Sequence, residues 1–232
     1  MQYVSVAEAA ARLKVSPRRV RQLLKEGGLA GHRIGETWLV VADELESRLE
    51  SPPLSGRPLS STSAWDVLAA LSEVDEGLEP LSPPARSRAR SRARQLRRHS
   101  SGIDSNEWRS ALRRRAELHR LYAHPSVVAD LLADRRVVCS GISAAQYYGA
   151  DLVVLGGAEG YVRASDLDNV LHQYALSAAA KADANVWLRV VSEGGDWLFR
   201  YRVAPASVVA ADLMEREGSR DRAAGVRLGA AL

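Results

Sequence analysis

The sequence predicts a mainly α chain with an α+β component, and three observations carry that expectation. Residues 1–50 hold two short segments of helical apolar period joined by a tight turn, then two alternating runs around Gly35-Glu36. Residues 64–115 read as helices, one of them unusually rich in arginine. Residues 116–232 alternate short β-branched runs with small-residue helical runs, which predicts a mixed α/β domain with a small antiparallel sheet. Between the first two parts, Ser51-Pro52-Pro53-Leu54-Ser55-Gly56-Arg57-Pro58 is polar and proline-rich, so residues 51–63 are expected to be a linker.

The composition sets the broad class. With 232 residues, 46% hydrophobic and 26% charged, the chain has room for a real core. A single cysteine, Cys139, excludes an internal disulfide framework and fits a reducing compartment. The start, Met1-Gln2-Tyr3-Val4, lacks the basic and apolar regions of a signal peptide, and no run approaches the ~18 apolar residues of a membrane span. A cytoplasmic protein without membrane contact is therefore expected. The net charge of +4 is unevenly spread: residues 85–123 hold 12 basic and 3 acidic side chains, a local excess that suits a polyanion.

In the first part, Ser5-Val6-Ala7-Glu8 has the form of a capping box, and Val6, Ala9, Ala10 and Leu13 follow at helical spacing. Lys14-Val15 turn the chain. Ser16-Pro17 starts a second helix, with serine as cap and proline at the first helical position, and Gly27-Gly28 ends it. Two short helices joined by so short a turn are a helix-turn-helix. On the second helix Val20, Leu23 and Leu24 face inward. Arg18, Arg21, Gln22 and Lys25 lie at i, i+3, i+4 and i+7 and share the outer face. Arginine matches the guanine O6/N7 edge and glutamine the adenine N6/N7 edge, so this face suits a DNA major groove. Arg19 flanks it and suits phosphate, which positions without specifying. Residues 29–41 then read as strand, turn at Gly35-Glu36 and strand, a β-hairpin wing, and Asp43 caps a helix carrying Leu45 and Leu49.

These residues carry a resemblance. Val6-Ala7-Glu8-Ala9-Ala10, Val15-Ser16-Pro17-Arg18-Arg19-Val20, Gly28-Leu29, Arg33-Ile34-Gly35 and Trp38-Leu39-Val40 resemble, in order and spacing, the excisionase/MerR-type winged helix. The resemblance implies recognition of double-stranded DNA through Ser16, Arg18, Arg19 and Gln22, with Arg33 and Gly35 of the wing against the backbone or minor groove. Trp38 is expected to pack the wing rather than stack on a base.

In the middle, residues 64–71 predict an apolar helix capped by Thr62 or Ser63. After Ser82-Pro83-Pro84 a second helix has Ala85, Ala89, Ala93 and Leu96 as a thin apolar stripe. Its arginines, Arg86, Arg88, Arg90, Arg92, Arg94, Arg97 and Arg98, admit two readings: accessory, salt-sensitive phosphate contact, or pairing with the acidic 66–79 stretch. Arg113-Arg114-Arg115 extends the positive field on a further helix that begins at Asn106-Glu107-Trp108.

In the last part, helices are expected over residues 125–133, within 140–149, over 165–182, from 205 and over 220–232. Strands are expected at 136–139, 151–155 and 161–163, and a hairpin of 186–191 with 197–203. Two stretches, 138–145 with Tyr148-Gly149, and 204–213 followed by Ser219-Arg220, resemble the C-terminal domain of AbiEi-type antitoxins of type IV toxin–antitoxin pairs. That resemblance implies a repressor of its own operon with a nucleotidyltransferase-like toxin encoded nearby. A homodimer is expected on the ground that such domains often read paired half-sites.

Catalytic and metal chemistry finds little footing. His32, His99, His119, His124 and His172 never pair at i, i+4, and there is no HExxH or CxxC, so neither metal nor cofactor is expected. Gly156-Gly157 leads into a strand and makes no phosphate loop. Ser165-Asp166-Leu167-Asp168 reads as a helix cap, and Cys139 as packing. A non-enzymatic, sequence-specific DNA-binding regulator is the expectation. Its alternatives are an architectural excisionase, for which length beyond residue 50 is surplus, and a ligand-sensing repressor with Tyr147, Tyr148, Tyr161 and Trp187 around a pocket.

Overall fold

The computed structural model describes residues 3–25, 29, 31–35, 37–42, 45, 58–98, 105–150, 152 and 156–232. The chain divides into two compact units, Met1–Pro53 and Leu54–Leu232.

The first unit runs β1 (Tyr3–Ser5), α1 (Val6–Leu13), α2 (Pro17–Lys25), β2 (Gly31–Ile34) and β3 (Thr37–Val41). Ser5 caps α1, its hydroxyl accepting from the Glu8 amide at 3.1 Å. At the other end Lys14 turns left-handed (φ 55°). The amides of Lys14 and Val15 bond back to Ala11 and Ala10, closing the helix and aiming the chain into α2. Val6, Ala9 and Ala10 of α1 and Val20, Leu23 and Leu24 of α2 bury against Leu29, Val40 and Leu45, with Leu13 and Trp38 partly covered. The helical period thus places the apolar sides of both helices on one small core, and Trp38 packs the wing. The strands form an antiparallel sheet in the order β1-β3-β2, and Gly35, at φ 61°, supplies the left-handed residue of the β2–β3 turn.

The second unit is built around a five-stranded sheet of order β5-β6-β8-β4-β7: β4 (Glu117–Tyr122), β5 (Val138–Cys139), β6 (Ala158–Arg163), β7 (Ser177–Ala178) and β8 (Val186–Val191). The β6–β8 pair is parallel and the other pairs are antiparallel, so the sheet is mixed where a small antiparallel one was expected. Strand alternation sorts its faces. Ala158 and Val162 of β6 and Val186, Leu188 and Val190 of β8 join one apolar cluster with Val128, Leu131 and Val170. Tyr161 and Val191 face the other way, into a larger cluster that includes Trp65, Leu68, Ala89, Ala93, Leu96, Trp108, Leu112, Ala144, Trp197, Val208 and Leu213. That larger cluster draws together helices α3 (Ser61–Leu71), α5 (Pro83–Arg98), α6 (Ser105–Leu112) and α10 (Ala206–Glu215). The short α4 (Asp75–Leu78), α7 (Val128–Ala133), α8 (Gly141–Ala145) and α9 (Leu167–Gln173) and the terminal α11 (Ser219–Ala230) complete the unit. Gly225 of α11 lies where a Cβ would come within 2.8 Å of the Ala210 carbonyl, so its lack of a side chain admits the close α10–α11 contact.

Several expectations change. The basic middle, 64–115, and the α/β part, 116–232, share one core, because Trp65, Trp108 and Leu112 bury against Tyr161 and α10. Helix α3 begins at Ser61, inside the expected linker, and is capped by Ser60, whose hydroxyl accepts from the Ser63 amide at 3.3 Å. The helix expected over 165–182 stops at Gln173, and after Ala175 (φ 49°) the chain enters β7. Asp166 sits at the N-cap of α9 without a side-chain cap bond. The 197–203 half of the expected hairpin is a 3-10 helix, Asp196–Arg200, whose Trp197 and Leu198 point into the core; only Val203 makes a bridge, and that to Cys139. His119 lies on β4 and His124 caps a 3-10 turn. Strands β1 and β4 were not anticipated. The expectations for Gly27-Gly28, Asp43, Leu49, residues 51–57, Asp151 and residues 153–155 lie outside the described residues.

Candidate nucleic-acid interface

On α2 the side chains opposite the buried Val20, Leu23 and Leu24 are exposed: Arg18, Arg19, Arg21 and Gln22. The helix has no acidic residue in its first turn. Ser16, also exposed, is committed to capping: its hydroxyl accepts from the Arg19 amide at 3.2 Å, which fixes the start of the helix and the direction of the arginine row. The side chain of Lys25 lies outside the described residues. In the wing, Arg33 Nε donates to the Gly35 carbonyl at 3.0 Å, and both residues are exposed. The arginine is thus tethered to the turn, a geometry suited to a phosphate or groove contact. Tyr3 of β1 packs edge-on against His32 at 5.7 Å, joining the third strand to the wing.

Two short helices with a left-handed turn, a hairpin beside them and a cationic outer face constitute a DNA-binding module of the helix-turn-helix class. Residues 3–52 match the family model of a helix-turn-helix domain. The chain therefore carries an N-terminal helix-turn-helix DNA-binding domain, the equipment of a DNA-binding regulator. No curated protein and no solved structure matches the chain.

The accessory arginines of α5 divide. Arg86 Nε and Nη2 donate to the carbonyls of Leu78 and Glu79, both at 3.1 Å, and Arg97 Nη2 donates to that of Leu71 at 2.8 Å and lies 3.5 Å from Glu73. Both thereby serve helix ends as well as carrying charge. Arg88, Arg90, Arg92 and Arg94 are exposed, and the side chain of Arg98 lies outside the described residues.

Arg115, expected to extend the positive field, does the opposite. It is 1% exposed and bonds Asp212 at 2.6 Å, both carboxylate oxygens of Glu215 (2.5 and 2.8 Å) and the Tyr161 hydroxyl at 2.8 Å. Arg189 meets Asp212 at 3.2 Å and Glu159 at 2.5 Å, and Glu159 also accepts from the Ile142 amide and from Arg216. Burial opposes the charge on Arg115, but Glu215, Tyr161 and Asp212 more than restore it, so its pKa stands well above the ordinary arginine value. Burial likewise pushes the Asp212 carboxyl up; Arg189, Arg115 and the hydroxyls of Ser140 and Tyr161 outweigh it and hold the group below the usual carboxylate range. This network was missed in the sequence. A signal was present: Asp212 is the one acid in Ala206-Ser207-Val208-Val209-Ala210-Ala211-Asp212-Leu213-Met214, and Arg189 interrupts the apolar β8. A lone charge in a buried run calls for a partner.

The four aromatics expected around a ligand pocket do not converge. Tyr147 and Tyr148 line a cleft of ≈ 740 Å³ with Tyr201, Tyr161 is buried beside Trp65, and Trp187 lies in a separate cavity of ≈ 210 Å³ under Arg216. Burial raises the Cys139 thiol pKa, with Arg202 opposing. Among the described residues no three His, Cys, Asp or Glu side chains form a metal-ligand group, and no helix is long and apolar enough to cross a membrane.

Proposed function

We propose that the chain is a sequence-specific transcriptional regulator that acts by binding rather than catalysis, and that it represses its own operon as an antitoxin-like protein. The observation that carries the regulator reading is the exposed row of Arg18, Arg21 and Gln22 on the second helix of a matched helix-turn-helix domain, beside an exposed wing arginine. Each bidentate contact of that kind is worth about 1–3 kcal/mol of discrimination between bases. Support for the antitoxin part comes from the two antitoxin-resembling stretches, which pack together. The Ser140 hydroxyl bonds Asp212, and the Ala204 amide donates to the Cys139 carbonyl at 2.8 Å. On this reading the second unit holds a second copy of the chain or a nucleotidyltransferase-like toxin, while the first reads the operator.

The test is capture of genomic fragments by the full chain, followed by sequencing and a promoter–reporter assay. The expected result is an enriched site upstream of the chain's own gene and repression of the reporter. Enrichment confined to recombination attachment sites, without repression, would contradict the regulator reading and favour the architectural one. For the antitoxin part, the chain should relieve growth arrest caused by a neighbouring nucleotidyltransferase-like gene.

A further inference from the structure

We infer that the outer face of α5 is a second, sequence-independent contact for the backbone of duplex nucleic acid, borne by Arg88, Arg90, Arg92 and Arg94. The inference deepens the regulator reading by adding a surface on the second unit. It starts from helical geometry, in which successive residues turn by about 100°. Ala89, Ala93 and Leu96 are buried, so the helix presents its other side outward, with Ser87 and Ser91 exposed along it. Arg88 and Arg92 flank that ridge on one side and Arg90 and Arg94 on the other, each pair one turn apart.

Of the arginines on this helix, Arg86 and Arg97 are spent on helix ends. The four named ones are exposed and form no ion pair among the described residues; Arg94 Nε merely donates to the Arg90 carbonyl at 3.4 Å. Acids do lie nearby: Glu73 and Asp75 share a cavity with Arg90 and Arg94, and Gln95 bonds Glu107 at 3.3 Å. These acids leave the four guanidinium groups unpaired. Like charges at i, i+4 destabilise a helix by a few tenths of a kcal/mol per pair, and a bound polyanion turns that repulsion into attraction.

Nucleic acid fits better than an acidic protein for two reasons. From Ser87 to Gln95 the exposed face carries only arginine, serine and glutamine, without the apolar or aromatic centre that protein interfaces need, whereas arginine and serine are common phosphate donors. The chain also carries a helix-turn-helix DNA-binding domain, so duplex DNA is a ligand the same molecule already meets.

The experiment measures affinity of the full chain for a mixed-sequence duplex lacking the selected site, from about 50 to about 200 mM salt. Replacing Arg88, Arg90, Arg92 and Arg94 together by alanine should flatten the slope of log affinity against log salt by about 0.9 for each phosphate no longer neutralised. The same four replaced by lysine should keep the slope. Arg86→Ala with Arg97→Ala should lower the melting temperature and leave the slope largely in place. An unchanged slope in the folded alanine variant overturns the inference, as does binding of polyglutamate that depends on the four arginines while duplex binding does not. Arg18→Ala with Gln22→Ala should remove site preference and keep most of the slope. If that variant retains its preference, the operator-reading role of α2 fails while the α5 contact stands.

Discussion

Arginine is put to opposite uses in the two units. Along α2, Arg18 and Arg21 stand in solvent on a helix with no acid in its first turn. In the centre of the second unit, Arg115 and Arg189 are 1% and 3% exposed and saturated by Asp212, Glu215 and Glu159. Residue type does not separate the two cases, and neither does local charge density, since Arg115 closes a run of three arginines. The supply of carboxylates separates them. Strand alternation sets Glu159, Tyr161 and Arg189 on one face of the sheet, and α10 lays Asp212 and Glu215 over it. Among the described residues Arg18 and Arg21 form no ion pair, and the buried cluster beneath α2 is apolar. Cations with matched acids hold a fold together, and cations without them are available to a ligand.

The contrast can be broken most forcefully at Arg115. Arg115→Met leaves the buried Asp212 and the partly buried Glu215 short of a partner, and a broken buried pair costs about 3–5 kcal/mol. Denaturant unfolding followed by tryptophan fluorescence should show a loss of that size. A loss no larger than at an exposed arginine would mean the network contributes nothing specific. The same carboxylates give a pH test. Asp212 in the core and Asp134, held down by Arg136, titrate below their unfolded value near 3.9. As pH falls below about 4, the unfolded chain takes up protons that the folded chain refuses. Stability contributed by these groups is therefore present from neutral pH down to about 5 and lost on further acidification, as an acid unfolding series should record.

Gly141 sharpens the same comparison, with a smaller effect. It sits at φ 51°, and a Cβ there would fall 2.2 Å from the Glu159 carboxylate. Gly141→Ala should cost about 1–3 kcal/mol from backbone strain, and more if Glu159 must move. The smallest effect belongs to the first unit: Ser5→Ala removes the cap of α1 and should lower stability by about 1 kcal/mol, measured as a shift in the melting of that unit.

The first unit was legible because its signals are local. Caps at Ser5 and Ser16, the apolar period of Val20, Leu23 and Leu24, and a glycine turn at Gly35 each act within a few residues. Strand β1 escaped because Tyr3–Ser5 is too short to show a period and is stabilised by pairing with Leu39, Val40 and Val41. In the second unit the decisive contacts are distant. The helix ends at Gln173 ahead of Ser177 and Ala178, which pair with Tyr122 and Leu121 of the distant β4, and Asp196–Arg200 forms a 3-10 segment that buries Trp197. For α5 the apolar stripe was readable, but which arginines serve helix ends became clear only from the carbonyls of Leu71, Leu78 and Glu79.

The central claim is that the outer face of α2 selects the DNA site. It is tested most directly by the ratio of affinities for the captured site and for a mixed-sequence duplex, in the wild type and in Arg18→Ala with Gln22→Ala. Removing exposed side chains should leave unfolding within about 0.5 kcal/mol per site, while the ratio should fall by roughly fivefold or more for each bidentate base pairing removed. An unchanged ratio in a folded variant would contradict the account.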